Sequence, residues 1–370
     1  MPVSASERAH LRFALAVHRT VAGTGDSCFS PYSAASALGL VTTAARGATA
    51  EETAALLAGE QEDVQAQADL LSKAAVLEAR TGQEEPVLAV SNTLWAWDAL
   101  PLKQEFVDEL AGWPSGGVAL APFVEDPEGA RAAINADVAV TTRELIPELL
   151  PPGTLDEDTV ASLVNALYLR VGWTFPFRGA ATEEADFHTP SGPVGVAMMR
   201  QSERLGYARQ GGWELVSLPA VGGVEAVVLL PERRLAEHES TLDEQLLAEL
   251  LAARRDTMVD LALPRLALDV RTQLKPALQA LGVRTMFTPA ADFGGLTEDP
   301  RLQVSDVLHE AVLRLDESGL EGAAATAVTM RLVAMPAGKP VTVEVNRPFL
   351  LLVRHSGTGA VYFLARIVTP

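Results

Sequence analysis

The sequence predicts a mixed α+β fold, on the evidence of where its two periodicities lie. Helical spacing dominates residues 1–150, and short runs of β-forming residues separated by Gly, Pro or Asn dominate the remainder. This segregation is typical of α+β folds, whereas a parallel α/β sheet needs helices and strands in alternation. A hydrophobic fraction of 48% is enough for a sizeable core. Because no repeat, linker or charge block marks a boundary, we expect one domain over residues 1–370.

Four segments of the first half predict helices. Residues 6–21 place apolar side chains on one helical face. Ser30 followed by Pro31 is typical of an N-cap and a first helical position. The Thr-Ala-Glu-Glu sequence at 49–52 matches a capping box for a third helix. Residues 130–145 predict a fourth helix.

The second half predicts strands. Val259, Leu261 and Leu263 alternate with less apolar neighbours, which is the period of a half-buried strand. The other β-type runs are residues 213–218, 224–230, 341–345, 349–353 and 361–367.

Composition argues against several classes of partner and site. The 29 basic and 48 acidic residues give a net charge of −19, which disfavours nucleic acid and anionic membrane surfaces. No apolar run approaches the ~18 residues that a membrane span needs. The N-terminal residues do not form a secretory signal, so the location stays open between cytoplasmic and secreted. The single cysteine, Cys28, excludes an internal disulfide framework and indicates a small buried hydrophobe.

A search for catalytic patterns finds no enzyme site. Ser27 follows Gly-Asp as in trypsin-like proteases, but Cys-Phe stands where a Gly pair would shape the oxyanion hole. The His-Glu pairs that begin at His238 and His309 have Leu242 and Leu313 where a zinc site needs a second His. We therefore expect no metal, no cofactor and no hydrolase activity.

Residues 317–340 are the unusual part of the sequence. They connect a strand that ends near Asp316 to one that starts at Val341, a connection well beyond the roughly 12–15 residues of ordinary loops. One alternating set within it is uncharged, and the other carries Glu321 and Arg331, as in a strand with one buried face. An Ala-rich helix or surface linker is the alternative. The uncharged set is Leu320, Gly322, Ala324, Thr326, Val328, Met330 and Leu332.

With these motifs the chain resembles the serpin family over nearly its whole length. Its Glu-Ser-Gly-Leu-Glu-Gly-Ala-Ala-Ala-Thr sequence at 317–326 is similar to the family's reactive-loop hinge. Further similar segments, in the family's order, are 29–33, 46–51, 91–94, 163–168, Trp173 with Phe177, 198–199, 309–313, 346–349 and 365–370. The lack of cysteine pairs suggests a bacterial member.

The resemblance implies helices packed around three β-sheets and a suicide inhibitor of serine proteases. The protease cleaves the exposed loop and forms an acyl-enzyme, and the loop then inserts as a new strand of the central sheet and distorts the protease. The intact state is implied to be metastable and held by a kinetic barrier. The implied partner is a serine endopeptidase in covalent complex with a monomer, with no nucleic acid and no membrane.

The resemblance also implies three groups of site residues. The hinge comprises Glu317, Gly319, Leu320, Gly322, Ala323, Ala324, Ala325 and Thr326. The shutter beneath the opening strands comprises Ser30, Ser33, Asn165 and His309. The breach, where insertion starts, comprises Trp173, Arg265 and Glu317.

The usual hinge length implies a reactive bond at Val333–Ala334. Val333 or its neighbour Leu332 suits elastase-like or chymotrypsin-like proteases, whereas Arg331 would indicate a trypsin-like target. Leu320 stands where inhibitory members usually carry Thr or Ser, and we expect insertion to survive this change.

Asp26 stands where the family often has Asn, which leaves the capping there in question. The alternative function is a serpin-fold protein that does not inhibit and acts as a protease substrate, binding module or chaperone. The small residues at 322–325 favour the inhibitor.

Overall fold

The structure is a computed structural model of the 370-residue chain. It describes residues 3–59, 63–79, 85–110, 113, 116–156, 159, 161–299, 302–304, 307–321 and 339–370.

Each of the four predicted helical segments forms a helix with shifted ends, and the described residues contain further helices that the sequence does not predict. Together the helices are α1 (Ala5–Val21), α2 (Pro31–Ala44), α3 (Gly47–Ala58), α4 (Val64–Ala74), α5 (Gln104–Glu109), α6 (Pro127–Thr141), α7 (Leu235–His238), α8 (Glu244–Ala253) and α9 (Leu274–Ala280). The predicted N-cap of α2 is confirmed, because the Ser30 hydroxyl accepts a hydrogen bond from the Ser33 N–H at 3.1 Å. None of the described helices is long and apolar enough to cross a bilayer.

The predicted capping box is wrong. Because α3 begins at Gly47, Thr49 lies inside the helix rather than at its cap. The Thr49 hydroxyl instead accepts from the Asp292 N–H at 3.0 Å. The Glu52 carboxylate accepts from the Thr285 N–H at 2.7 Å. Both side chains therefore hold a distant segment of chain against α3.

The predicted end of the helix at 130–145 is also wrong. The helix α6 ends at Thr141, and the Thr142 hydroxyl then accepts from the Ile146 N–H at 3.1 Å. Between these two residues, Arg143 and Glu144 adopt φ values of +51° and +64°. This strained turn takes the chain away from the helix before the predicted boundary.

Each β-type run predicted in the second half forms a strand, although the run at 341–345 ends one residue early, at Glu344. The strands are β1 (Ser27–Phe29), β2 (Val87–Trp97), β3 (Gly116–Ala121), β4 (Ala161–Gly172), β5 (Glu183–Thr189), β6 (Gly192–Gln210), β7 (Trp213–Pro219), β8 (Val224–Pro231), β9 (Arg255–Pro264), β10 (Leu266–Gln273), β11 (Leu308–Leu315), β12 (Gly319–Leu320), β13 (Val341–Glu344), β14 (Phe349–His355) and β15 (Val361–Ile367). The strands β1, β2 and β3 interrupt the helical first half, and the sequence does not predict them.

The strands form two hydrogen-bonded sheets. One has the order β1-β15-β14-β8-β7-β6-β9-β13, with β5 also paired to β6. The 19-residue strand β6 pairs with β5 through its first part and with β7 through its last, while β9 runs along its middle. Because β6 pairs with different strands along its length, it joins two of the three sheets that the family resemblance implies into one hydrogen-bonded sheet. The other sheet has the order β10-β11-β12-β4-β2-β3.

The six-stranded sheet is buried on both faces. Leu167, Leu169 and Val171 of β4 belong to the main core cluster, together with residues of α1 and α2. Val164 and Ala166, with the opposite parity, belong to a second cluster that includes the buried face of α6. The strand β4 thus separates the main core from the layer formed by α6.

Candidate functional site

The strand β12 lies between β4 and β11, at one end of the six-stranded sheet. Leu320 pairs with Leu315 of β11 on one side and with Val171 of β4 on the other. Its side chain is 1% exposed. The first residues of the predicted loop are therefore already part of the sheet, with Leu320 facing the main core as its parity predicted.

Gly319 allows this close approach. A Cβ at this position would lie 2.1 Å from the carbonyl oxygen of Val171, so any side chain would push the two strands apart. The preceding turn is held by Asp316, whose Oδ1 accepts from the N–H groups of Ser318 at 2.7 Å and Gly319 at 3.2 Å. The glycine and the aspartate together fix the entry of the chain into the sheet.

Trp173 closes the end of the sheet above β12. Its indole Nε1 donates to the carbonyl oxygen of Asp316 at 2.8 Å, and its backbone N–H donates to Ser318 at 2.8 Å. The side chain is buried among apolar residues. Trp173 therefore contacts the backbone at the start of the predicted hinge directly, and its breach role stays a prediction.

Glu317 and Arg265 form the predicted ion pair. The Arg265 Nε lies 2.9 Å from Oε2 and its Nη2 lies 2.6 Å from Oε1, a two-pronged geometry. The Thr182 hydroxyl also donates to Glu317. Burial raises the pKa of Glu317, but the hydrogen bonds from Arg265 and Thr182 outweigh it and hold the pKa below its ordinary value. Glu317 is thus a charged anchor at the start of the loop.

His309 of β11 and Ser30 at the start of α2 are joined by a buried hydrogen bond. The Ser30 N–H donates to His309 Nε2 at 2.9 Å, which places the ring proton on Nδ1. Burial lowers the pKa of His309 to about 4, so the ring is neutral. A neutral and enclosed ring can accept this hydrogen bond without exchanging a proton near neutral pH.

Three of the four predicted shutter residues are joined by hydrogen bonds through Ser30, whereas the fourth, Asn165, bonds elsewhere. Ser30 contacts both His309 and Ser33, as described above. Asn165 of β4 instead donates to the side chain of Asn92 on β2. Asn165 and His309 border one cavity of about 20 Å³, which lies under β4 and β11. Among the described residues the Asn165 Oδ1 is buried and has no hydrogen-bond partner.

Asn92 is a site residue that sequence reasoning missed. It lies opposite Asn165 in the β2–β4 register and is fully buried. The Ser-Asn-Thr-Leu segment at 91–94 is similar to a family motif, but the motif alone does not assign a role to its asparagine. The motif that contains Asn92 was visible in the sequence, but the pairing of Asn92 with Asn165 could be found only from the register of β2 and β4.

Asp26 serves the capping role that its family counterpart Asn could serve. Its Oδ1 accepts from the N–H groups of Val368 at 2.5 Å and Thr369 at 3.0 Å. The amide oxygen of an asparagine could accept the same hydrogen bonds. Replacing the family's usual Asn by Asp26 therefore preserves this contact.

Nine of the predicted site residues lie outside the described residues. They are Gly322, Ala323, Ala324, Ala325, Thr326, Arg331, Leu332, Val333 and Ala334. The structure therefore describes the hinge up to Glu321, and the reactive bond stays a prediction.

Comparison with known proteins identifies the class that this fold and hinge define. A family model described as Serpin (serine protease inhibitor) matches residues 8–370. Iris of Ixodes ricinus is 32% identical over 352 residues, which cover 93% of this chain and 92% of that protein. The chain belongs to the serpin family.

Solved structures agree on the fold. Thyroxine-binding globulin in complex with thyroxine superposes with a TM-score of 0.86 at 22% identity, over 98% of this chain and 99% of that one. Tengpin, a thermophilic serpin in the native state, gives 0.85 at 23% identity, over 98% and 94% of the two chains. The α+β serpin fold is thereby confirmed.

Proposed function

We propose that this serpin inhibits serine proteases by suicide trapping. A protease cleaves the loop near Val333–Ala334 and remains attached as an acyl-enzyme. The cleaved loop then inserts between β4 and β11 as a full strand and carries the protease with it. The target is a chymotrypsin-like or elastase-like protease, because Val333 and Leu332 are apolar.

The observation that carries the proposal is the position of Leu320. Leu320 is buried and is paired with β11 on one side and β4 on the other. A longer strand would continue from it between these same two strands. Further insertion adds hydrogen bonds to both strands and buries the uncharged set of the loop. These gains supply the free-energy difference that a trap of this kind needs.

The hinge composition supports the same function. Residues 322–325 are Gly-Ala-Ala-Ala, which can enter a narrow strand position without a large side chain to accommodate. Leu320 is bulkier than the usual Thr or Ser, but it already lies in the core. We expect it to leave insertion intact.

The alternative is a serpin fold that binds or is cleaved without trapping. One structural neighbour, thyroxine-binding globulin, is described as bound to thyroxine. This alternative predicts loop cleavage by proteases with no stable complex.

The test is to mix the chain with chymotrypsin, elastase, trypsin and subtilisin. We expect a covalent complex that survives denaturing electrophoresis with chymotrypsin or elastase, and mass spectrometry of the cleaved loop to place the new terminus at Ala334. A complex with trypsin cleaved after Arg331 would correct the target. Cleavage by all four proteases without any complex would contradict the inhibitor and favour the alternative.

A further inference from the structure

Glu321 is the last residue of the hinge that the structure describes. Its N–H still donates to the carbonyl oxygen of Arg314 at 2.8 Å, in the register set by Leu320 and Leu315. Its φ of +63°, however, lies in the left-handed region, which is strained for a residue with a side chain. The described part of the ladder therefore reaches Glu321, whose own backbone is not extended.

The carboxylate of Glu321 is poorly solvated. The neighbouring Tyr168 hydroxyl favours its charged form and acts to lower its pKa. Among the described residues its Oε2 is buried and has no hydrogen-bond partner. The charged and titratable groups that face it are Tyr168 and Arg170 of β4, Arg143 beyond the end of α6, and Arg314 of β11. Burial raises the pKa of Glu321 above its ordinary value, although these groups act in the opposite direction.

A second strained turn lies against Tyr168, one of the groups that face Glu321. Arg143 and Glu144, at the end of α6, have φ values of +51° and +64°, and with Glu321 they are the non-glycine residues of positive φ in the described chain. The Arg143 guanidinium lies 5.2 Å from the centre of the Tyr168 ring. Backbone strain thus collects around Tyr168, beside the point where insertion must resume.

The register shows where Glu321 would lie in a longer strand. Extending the pairs of Leu320 by one residue sets Glu321 opposite Arg170 on β4 and opposite Arg314 on β11. Directly opposed residues of neighbouring strands share a face of the sheet. An extended Glu321 would therefore lie between two arginines.

We infer that Glu321 is a positioning residue that drives loop insertion beyond Leu320. Its strained backbone and poorly solvated carboxylate raise the free energy of the intact loop. Both are relieved when Glu321 becomes extended between Arg170 and Arg314. This inference rests on the proposed function. It makes Glu321 a determinant of the fraction of cleavage events that end in a trapped protease.

Two substitutions separate the backbone from the charge. Glu321→Gly removes both the backbone strain and the charge, because glycine adopts positive φ without strain. Glu321→Gln removes the charge alone. The matched control is Glu344→Gln, which makes the same change at an exposed position of β13. The readouts are the initial rate of protease attack and the number of serpin molecules consumed for each protease trapped.

We expect both Glu321 variants to be attacked at the wild-type rate but to insert more slowly. For Glu321→Gly the slowing is up to about tenfold, which corresponds to about 1.4 kcal/mol and matches the strain of one such residue. More serpin is then consumed per trapped protease, and the control behaves as wild type. Wild-type consumption in both Glu321 variants, or lower, would overturn the inference.

The pH profile provides a readout that a purely structural role would not move. Protonation favours the conformation in which the pKa is higher, which is the intact loop. Insertion should therefore slow as the pH falls through the raised pKa of Glu321 in the wild type and in Glu344→Gln, and this component should be absent from Glu321→Gln. Identical profiles for all three would overturn the inference. A wild type that traps no protease would instead refute the proposed function itself.

Discussion

His309 Nε2 accepts a hydrogen bond of 2.9 Å from the backbone N–H of Ser30. This bond ties β11, one of the two strands that flank β12, to the first turn of α2. Both residues are at most 3% exposed, so the bond forms away from water. Any movement of β11 that opens the sheet has to stretch or break it.

We predict that His309 titrates near pH 4 in the folded protein. Burial lowers its pKa from 6.5 to about 4. The unfolded chain binds this proton as the pH falls through 6.5, whereas the folded chain binds it only near 4. Stability is therefore lost as the pH falls across this window, by at most about 3 kcal/mol from this residue. The measurement is an NMR titration of the histidine ring protons.

Two variants assign this effect. His309→Gln should reduce the dependence of the free energy of unfolding on pH between 6.5 and 4, and the buried His10, whose pKa burial also lowers to about 4, keeps its own contribution. His188→Gln, at an exposed position of β5, should leave it unchanged. An ordinary titration near 6.5 for His309 would contradict the buried hydrogen bond.

The Arg265–Glu317 pair should contribute modestly to stability. Arg265 is half exposed, so solvent screens the interaction, and we expect Glu317→Gln to cost about 1 kcal/mol in urea unfolding. Arg265→Lys keeps the charge but loses the two-pronged geometry, and should cost part of that. The control is Arg204→Gln, which breaks the more exposed pair with Asp256. Equal costs for all three would mean that the pair does not anchor the hinge.

Ala324→Arg should convert the inhibitor into a substrate. Continuing the register of β12 sets Ala324 beside Leu167 and Ala311, which are both buried in the main core. An inserted arginine would place an unpaired charge there, at a cost of several kcal/mol. Protease assays should show cleavage with little trapping. Thr329→Arg, of opposite parity, is the matched control, and unchanged trapping by Ala324→Arg would contradict the register.

Cys28 should report unfolding. Its thiol is 1% exposed, and burial raises its pKa to about 12. The native protein should therefore resist iodoacetamide at mildly alkaline pH, and label rapidly in denaturing urea, where the thiol has its ordinary pKa. Mass spectrometry gives the labelled fraction. Rapid labelling of the native protein would show that β1 separates from β15 without global unfolding.

Local signals predicted the elements well where one periodicity or one cap decides the structure. Ser30 and Pro31 marked the start of α2 because capping is a local interaction. Thr49 and Glu52 misled for the opposite reason: their partners, such as Asp292, are distant in sequence. A pattern of four residues cannot distinguish a helix cap from a tertiary contact of the same side chains.

The candidate site shows the same difference between local signals, which the sequence reveals, and distant contacts, which it does not. The motifs located Glu317, Trp173 and His309, and the structure supplied their partners. Asn92 and Glu321 emerged from strand register, which no local pattern encodes. The strain at Glu321 is a backbone property that depends on how far β12 has entered the sheet.

The central claim is that the loop can become a strand between β4 and β11. The most direct measurement is the melting temperature of the chain before and after a single cleavage in the loop. Insertion after cleavage adds a strand to the six-stranded sheet, so we predict that the cleaved form melts well above the intact one. Equal melting temperatures for the two forms would contradict insertion and, with it, the proposed trap.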